Sequence, residues 1–278
     1  MSGICATPGC SRAVYRDANG KAGKYCRQTH RSWGEKGCIS CRRAEKFGES
    51  KFCFPCEEHL KTVAPGLVLV PRDNETYHNV ANQFQRSWRH PTLCPKIRAI
   101  YKIVERPEIM DRYNVYRNAV EFRGGFTAKG ITSGNQQRRW HGTNRGCRVG
   151  ESGQTTLCYS PQCALCSIIR TSFDIAHSKK KTGWGRFGNG IYTSSTSSKS
   201  NDYSNNIVSS PWKAVLLAYV AVGRAKTFET DQPTLTQPPN GYDSVIGEPS
   251  PMGSLNYDEL VVYTNDAVRP AYLVMYGS

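Results

Sequence analysis

The sequence predicts an α+β domain preceded by a small cysteine-rich module. Three observations lead there. Apolar residues recur at helical spacing in two segments between residues 80 and 125. Short apolar, β-branched runs follow through the rest of the chain. Seven cysteines and one histidine fall into close pairs within the first 56 positions. At 278 residues there is room for one large domain and one small one.

The small module is read over residues 1–61. Cys5-x4-Cys10 is followed by Cys26-x3-His30, then Cys38-x2-Cys41 and Cys53-x2-Cys56. Such pairs suit tetrahedral Zn²⁺, because one tight knuckle supplies two ligands and two knuckles complete the shell. Pairing in chain order gives a three-cysteine, one-histidine site and a four-cysteine site. The seven residues between His30 and Cys38 favour that order, while a cross-braced pairing of alternate knuckles also fits. Few apolar residues interrupt the Lys, Arg and Gly of this segment, so metal is expected to supply its folding free energy. Arg12, Arg16, Lys21, Lys24, Arg27 and Arg31 surround the first site and lean towards phosphate contacts.

The formal charge is +15 and uneven: residues 1–200 sum to +19 and residues 201–278 to −4. Three Zn²⁺ on eleven thiolates and one histidine would leave about +10. That balance favours polyanionic partners, nucleic acid first, carried by the basic first two-thirds of the chain. No apolar run reaches the ~18 residues of a membrane span. The opening MSGICATPGC lacks the charged and apolar regions of a signal peptide. An intracellular protein, nuclear or cytoplasmic, is expected, whose cysteines are metal ligands rather than disulfides.

Residues 62–278 are read as the large domain. Pro65-Gly66 and Pro71 mark a linker around a short strand at residues 67–70. Val80, Phe84 and Trp88 recur every four residues, predicting a helix that ends before Pro91. Residues 96–104 read as a strand. Pro107 suits the first turn of the next helix, with Ile109, Tyr113, Tyr116 and Val120 inward and Gly124-Gly125 as its stop. Residues 215–222 and 270–276 read as buried strands, and a further strand opens at Glu259. Cys94 has no partner and is read as structural.

The least regular stretch carries the most functional signal. WGRFGNGIYTSSTSSKSNDYS, residues 184–204, is too rich in Gly, Ser and Asn to be expected as a helix. Its glycines permit close approach of another molecule to the backbone. Tyr192 and Tyr203, with the hydroxyls between them, suit a flat polar ring held between aromatic faces. Upstream stands Arg139-Trp140-His141-Gly142-Thr143, and downstream Asn256-Tyr257-Asp258-Glu259 opens the apolar strand. The ordered set is a His-Gly-Thr, a Gly-x-Gly-x-Tyr with Ser-Lys-Ser-x-x-Tyr, and a strand-opening Glu. It resembles the poly(ADP-ribose) polymerase-like ADP-ribosyltransferases of the His-Tyr-Glu type. The resemblance covers roughly residues 66–276. Ser244-Val245-Ile246-Gly247 lies where that family carries a similar Ser-Val-x-Gly.

The resemblance implies a split β-sheet core with flanking helices around a cleft for NAD⁺. It implies transfer of ADP-ribose to a protein or nucleic-acid acceptor with release of nicotinamide. His141 would hydrogen-bond a ribose hydroxyl, and Gly142 would hold the nicotinamide carboxamide through its backbone with help from Ser200. Tyr203 would stack on the nicotinamide and Tyr192 would close the opposite wall. Lys199 would lie near the reacting ribose. Glu259 would bind the ribose 2′-hydroxyl and stabilise the developing cation. An NAD⁺ glycohydrolase and a non-enzymatic, zinc-bearing nucleic-acid binder are the alternatives.

One segment departs from the family pattern. Residues 147–166 carry Cys147, Cys158, Cys163 and Cys166, which fit a third zinc site that is structural because four thiolates leave no open position. Ser172, Phe173 and Asp174 then become candidates for the adenine side of the cleft. Lys179-Lys180-Lys181 becomes a candidate contact for an anionic acceptor.

Overall fold

The computed structural model describes residues 3–177, 185–251 and 253–277. Lys179-Lys180-Lys181 and Trp184 lie outside the described residues. Two short helices punctuate the cysteine-rich part: α1 (Gln28–Lys36) begins two residues after Cys26, and α2 (Phe54–Thr62) directly after Cys53. Next come β1 (Gly66–Leu69), α3 (Glu75–Arg86), β2 (Lys96–Val104) and α4 (Pro107–Gly124). β3 (Gln136–Gly142) and β4 (Asn144–Arg145) precede α5 (Ala164–Thr171). Then follow β5 (Ile191–Thr193), α6 (Ser197–Asp202), β6 (Asn205–Asn206) and β7 (Trp212–Ala221). The chain closes with β8 (Ala225–Phe228), β9 (Ser244–Gly247), β10 (Glu259–Val262) and β11 (Val268–Gly277). No helix of the described residues is long and apolar enough to cross a membrane.

The fold is α+β, with two main sheets. The larger has the order β1-β2-β11-β7-β3 and is antiparallel throughout. Strand alternation gives it two apolar faces. Tyr101, Ile103, Leu216, Ala218 and Leu273 meet Leu165 and Ile169 of α5 on one. Ile100, Val215, Leu217, Val274 and Tyr276 meet Val80 and Phe84 of α3 on the other. The smaller sheet has the order β5-β10-β9-β8, antiparallel except for the β8–β9 pair. A bridge between Trp140 and Ser194, with N–H···O distances of 2.8 and 3.0 Å, ties the edge of the larger sheet to the start of the smaller.

The helices begin and end where local chemistry sets them. Asn74 caps α3 by accepting the Thr76 N–H at 3.0 Å, and Tyr77, Val80, Ala81 and Phe84 form its buried stripe. The helix stops at Arg86, so Trp88 lies beyond it, yet the Trp88 ring still packs on Phe84. α4 has Pro107 in its first turn and Gly125 in the left-handed conformation at its end, φ +58°.

The serine-rich stretch corrects one expectation, because residues 197–202 are helical. Tertiary hydrogen bonds override the poor propensity. The Ser197 hydroxyl donates to Phe84 O at 2.8 Å, and the Ser198 hydroxyl accepts the Arg89 and His90 N–H groups at 3.0 and 3.2 Å. The hydroxyl row expected to face a ligand is thus largely spent on holding α6 to the end of α3.

The cysteine-rich head shares a core with the larger domain. Cys38, Ile39, Phe52 and Cys53 are buried with Val70, Tyr77 and Val80. Around this core the Asn74 amide donates to Gly34 O and Gly37 O at 3.2 and 3.4 Å. Asp73 accepts from the Tyr25 hydroxyl and from Arg42, each at 2.9 Å. The N-terminus of α3 is therefore built partly by the head.

Candidate active site

Glu259 opens β10 and Asp258 directly precedes it, and extended-chain alternation sends the two carboxylates to opposite sides. Asp258 is saturated. It pairs with Arg139 at 2.7 Å and accepts from the Ser195 hydroxyl at 2.7 Å, the Ser195 N–H at 3.1 Å and the Ser194 hydroxyl at 3.1 Å. Glu259 is buried, 7 % exposed. Its Oε1 lies 2.8 Å from Lys199 Nζ, and its buried Oε2 has no hydrogen-bond partner among the described residues.

Lys199, in the first turn of α6, also donates to Tyr257 O at 2.9 Å. Burial lowers its pKa from the ordinary lysine range, and the Glu259 carboxylate opposes the shift. A cavity of about 300 Å³ opens here, lined by Glu259, Lys199 and Tyr203 together with His90, Arg186 and Tyr257. A larger hollow of about 480 Å³ lies against Trp88, Asn201, Lys213 and Tyr276. It contains none of the seven motif residues, so the smaller cavity is the one with the chemistry.

The other motif residues meet in pairs beside that cavity. His141 Nδ1 lies 2.9 Å from Tyr192 O, which fixes the imidazole between the two sheets. Tyr192 turns its hydroxyl onto its own glycine loop, accepting the Phe187 N–H at 3.0 Å and donating to Gly188 O at 2.8 Å. Burial raises the Tyr192 pKa. Tyr203 ends α6 with half its surface exposed, whereas Ser200 is buried.

Gly142 faces α6 so closely that a Cβ there would sit 1.8 Å from Ser200 O. The helix backbone itself thus excludes a side chain. Gly142→Ala is expected to displace α6 and destabilise the fold by at least ~1–3 kcal/mol, read as a lower thermal unfolding midpoint.

Tyr257, quoted from sequence within the strand-opening stretch, lines the cavity with Arg186 and His90, two residues not singled out from sequence. Arg186 pairs with Asp231 at 3.2 Å and bonds Ser254. His90 lies 3.5 Å from an Asp202 carboxylate oxygen, its ring tilted against Tyr257 at 5.4 Å. Their only local signals were a basic residue inside the glycine loop and a histidine just past a helix end.

The metal-type residues gather as three groups in chain order: Cys5, Cys10, Cys26 and His30; Cys38, Cys41, Cys53 and Cys56; Cys147, Cys158, Cys163 and Cys166. Within each, the donor atoms all lie within 4.8 Å of one another. Four sulfurs at a Zn–S length of about 2.3 Å would stand about 3.8 Å apart at tetrahedral angles. The observed Sγ···Sγ separations include 3.8 Å for Cys10–Cys26, 3.7 Å for Cys41–Cys53 and 3.8 Å for Cys147–Cys163. His30 presents Nδ1 to Cys5 and Cys26, each at 3.4 Å. These donors fit zinc.

In every group the last donor sits in the first turn of a short helix: His30 in α1, Cys56 in α2 and Cys166 in α5. Cys163 occupies the N-cap position of α5. The Cys166 thiol, working against burial and aided by backbone N–H groups of Cys166 and Gly146, holds the Cys163 thiol below the ordinary cysteine range. The third group reaches the site mechanically. It anchors α5, and the Phe173 ring just beyond α5 meets the His141 ring edge-on at 5.0 Å. Ser172 and Asp174 spend their polar atoms on Val268 O and on the Ala176 N–H.

Comparison with known proteins gives the family. Residues 74–254 match the poly(ADP-ribose) polymerase catalytic domain, and the chain belongs to that family, a family of NAD-dependent ADP-ribosyltransferases. Human protein mono-ADP-ribosyltransferase PARP3 is 29% identical over 165 residues, covering 57% of this chain and 24% of that protein. The chicken protein of the same name is 48% identical over 61 residues, 22% of this chain and 11% of the relative. Human protein mono-ADP-ribosyltransferase PARP4 is 32% identical over 101 residues, 35% of this chain and 6% of the relative. The chain thus spans a quarter or less of the length of these relatives. The family match ends five residues before Glu259 and begins beyond the cysteine-rich head.

Proposed function

We propose that this chain cleaves NAD⁺ and transfers its ADP-ribose to an acceptor, releasing nicotinamide. The observation that carries the reading is Glu259: a buried carboxylate at a cleft, one oxygen paired to Lys199 and the other without a partner among the described residues. Nicotinamide leaves as a neutral molecule, so the transition state is a cation spread over the ribose C1′ and ring oxygen. A desolvated, fixed anion stabilises such a cation more than it stabilises the bound substrate. Glu259 supplies that anion and binds the ribose 2′-hydroxyl. His141 holds a ribose hydroxyl, its ring set by the Tyr192 carbonyl. Gly142 and Ser200 take the carboxamide, and Tyr203 and Tyr192 flank the nicotinamide.

Zinc completes the reading. The three groups gathered around Cys5, Cys38 and Cys147 would each hold one ion in a closed four-ligand shell. Closed shells leave no position for substrate, so the metal supplies stability rather than chemistry. The relatives' name, protein mono-ADP-ribosyltransferase, supports a protein acceptor and transfer of a single unit. The basic charge supports a nucleic acid as acceptor or as bound partner.

The test follows NAD⁺ labelled on its adenylate. Label on protein or on added nucleic acid, with stoichiometric nicotinamide, supports transfer and names the acceptor class. Label wholly in free ADP-ribose replaces transfer with hydrolysis. No nicotinamide release overturns the reading.

Lys199 adds a pH dependence. Its folded pKa is depressed, so raising pH removes its proton before an ordinary lysine would lose one, and Glu259 then loses its partner. Turnover is expected to decline on the alkaline side below the usual lysine range. In Lys199→Arg that decline should move to higher pH. A kcat profile over about pH 7 to 10 checks it.

A further inference from the structure

The hollow of about 480 Å³ has a lining of its own and shares no residue with the candidate active site. α6 contributes to both: Asn201 to this hollow, and Lys199, Asp202 and Tyr203 to the other. The strand register sets where it opens. Lys213 of β7 stands opposite Tyr276 of β11, and Tyr276 lies on the sheet face that receives α3. Opposed residues share a face, so Lys213 joins Trp88, just past the end of α3, at one end of the sheet.

One wall of the hollow is apolar and fixed. Trp88, Leu93, Pro95 and Pro211 form it, and Leu93 is 94 % exposed. The Trp88 indole N–H donates to Thr92 O at 3.0 Å, and its ring packs against Phe84, His90 and Tyr276 at 5.6, 6.0 and 6.4 Å. Polar groups stand beside this wall. Lys213 Nζ reaches Asn201 Oδ1 at 3.3 Å and Asn201 O at 3.5 Å, and it pairs with no carboxylate among the described residues. The Tyr276 hydroxyl donates to the same Asn201 Oδ1 at 3.1 Å, so the ammonium and the Trp88–Tyr276 ring pair converge on one residue. Asn205 is exposed, and its carboxamide makes no hydrogen bond among the described residues. Neither aspartate nor glutamate lines the hollow.

These features select among ligands. A cationic ligand would find no counter-charge in the lining. A wholly apolar one would bury the Lys213 ammonium and the Asn205 carboxamide without partners, at a cost in free energy. A flat heteroaromatic ring suits a rigidly held indole. A carboxamide both donates and accepts, which matches the edge of a base. An ammonium without an acid takes a phosphoryl oxygen. The volume of about 480 Å³ falls within the range of small-ligand sites. We propose that this hollow binds a nucleotide unit, with its base against Trp88, the base edge on Asn205 and its phosphate at Lys213. A free nucleotide and one unit of a single-stranded nucleic acid offer the same chemistry. The proposal does not rest on cleavage of NAD⁺.

The test uses the full chain and two probes. Thymidine 5′-monophosphate is titrated calorimetrically, and a dye-labelled oligothymidylate by fluorescence anisotropy at several salt concentrations. Lys213→Gln and Trp88→Leu are each expected to weaken binding about tenfold, and Asn205→Ala about threefold. Lys213→Gln should also make the salt slope of the oligomer shallower by about 0.7. Tyr203→Ala, in the catalytic cavity, should leave binding to the hollow unchanged. Thermal unfolding checks that each variant is folded; Lys213 and Asn205 carry the test if Trp88→Leu is not. Weakening with both probes establishes a site open to a strand, and weakening with the oligomer alone a site that needs one. Weakening with the monophosphate alone establishes a site for free nucleotides. Absence of saturable binding, binding that neither Lys213→Gln nor Asn205→Ala weakens, or binding lost only in Tyr203→Ala overturns the proposal.

Discussion

Glu259→Gln is expected to lower turnover of NAD⁺ by about 10²–10³-fold while leaving KM within a few-fold. Glutamine keeps the size of the side chain and its place at the start of β10 but removes the charge. The interaction lost is strongest with the cationic transition state, so the loss falls on kcat rather than on binding. Asp258→Asn is the matched control, one residue away with the opposite expectation. Asp258 binds Arg139 and the Ser194–Ser195 turn, and both partners of that ion pair are largely buried. Its neutralisation leaves the Arg139 charge without a counter-ion and is expected to destabilise the fold by about 3 kcal/mol. Kinetics and thermal unfolding on both variants separate the two roles. If Asp258→Asn lowered kcat with unchanged stability and Glu259→Gln did the reverse, the assignment of the anion to Glu259 would fail.

That pair also shows where sequence reading stops. Both carboxylates stand in one motif, and nothing local distinguishes them; strand parity and the position of Arg139 do. Elements with their own periodicity were legible. α3 and α4 follow from Val80 and Phe84 and from Pro107 and Gly125, because stripes, caps and stops are local properties. α6 was not legible, because its hydroxyls find partners at Phe84, Arg89 and His90, more than a hundred positions earlier in the chain. Gly142 was singled out for close approach of a ligand, and the structure adds a packing reason for a glycine there. Its side chain is excluded by the Ser200 carbonyl of a helix the sequence did not suggest. Arg186 and His90 carry no pattern at all and join the cavity only because a loop and a helix end converge on α6.

With zinc in the three donor groups, as proposed, its removal is expected to have the largest effect of any single treatment, and to act on turnover from a distance. Structural zinc sites contribute about 10–16 kcal/mol of apparent binding free energy in small peptides. The head has little else to hold it, since its core consists of Cys38, Ile39, Phe52 and Cys53 wedged against Val70, Tyr77 and Val80. Its loss would uncover that apolar surface. It would also take away Gly34 and Gly37, the carbonyls that hold the Asn74 cap, and Arg42, the partner of Asp73. α3 would lose its N-terminal fixation. At its other end, α3 holds Ser197 through Phe84 O and receives the Trp140 indole N–H on the Ser87 hydroxyl at 2.9 Å. From there α6 positions Lys199 against Glu259. Chelation should therefore lower the thermal midpoint and turnover together. Cys53→Ser, in the shared core, should do more damage than Cys10→Ser, since Cys10 itself is less buried. Zinc content by atomic absorption, thermal unfolding and nicotinamide release on both variants check the order. Full turnover in a Cys53→Ser chain that has lost its zinc and its head structure would show that α3 does not couple the two ends.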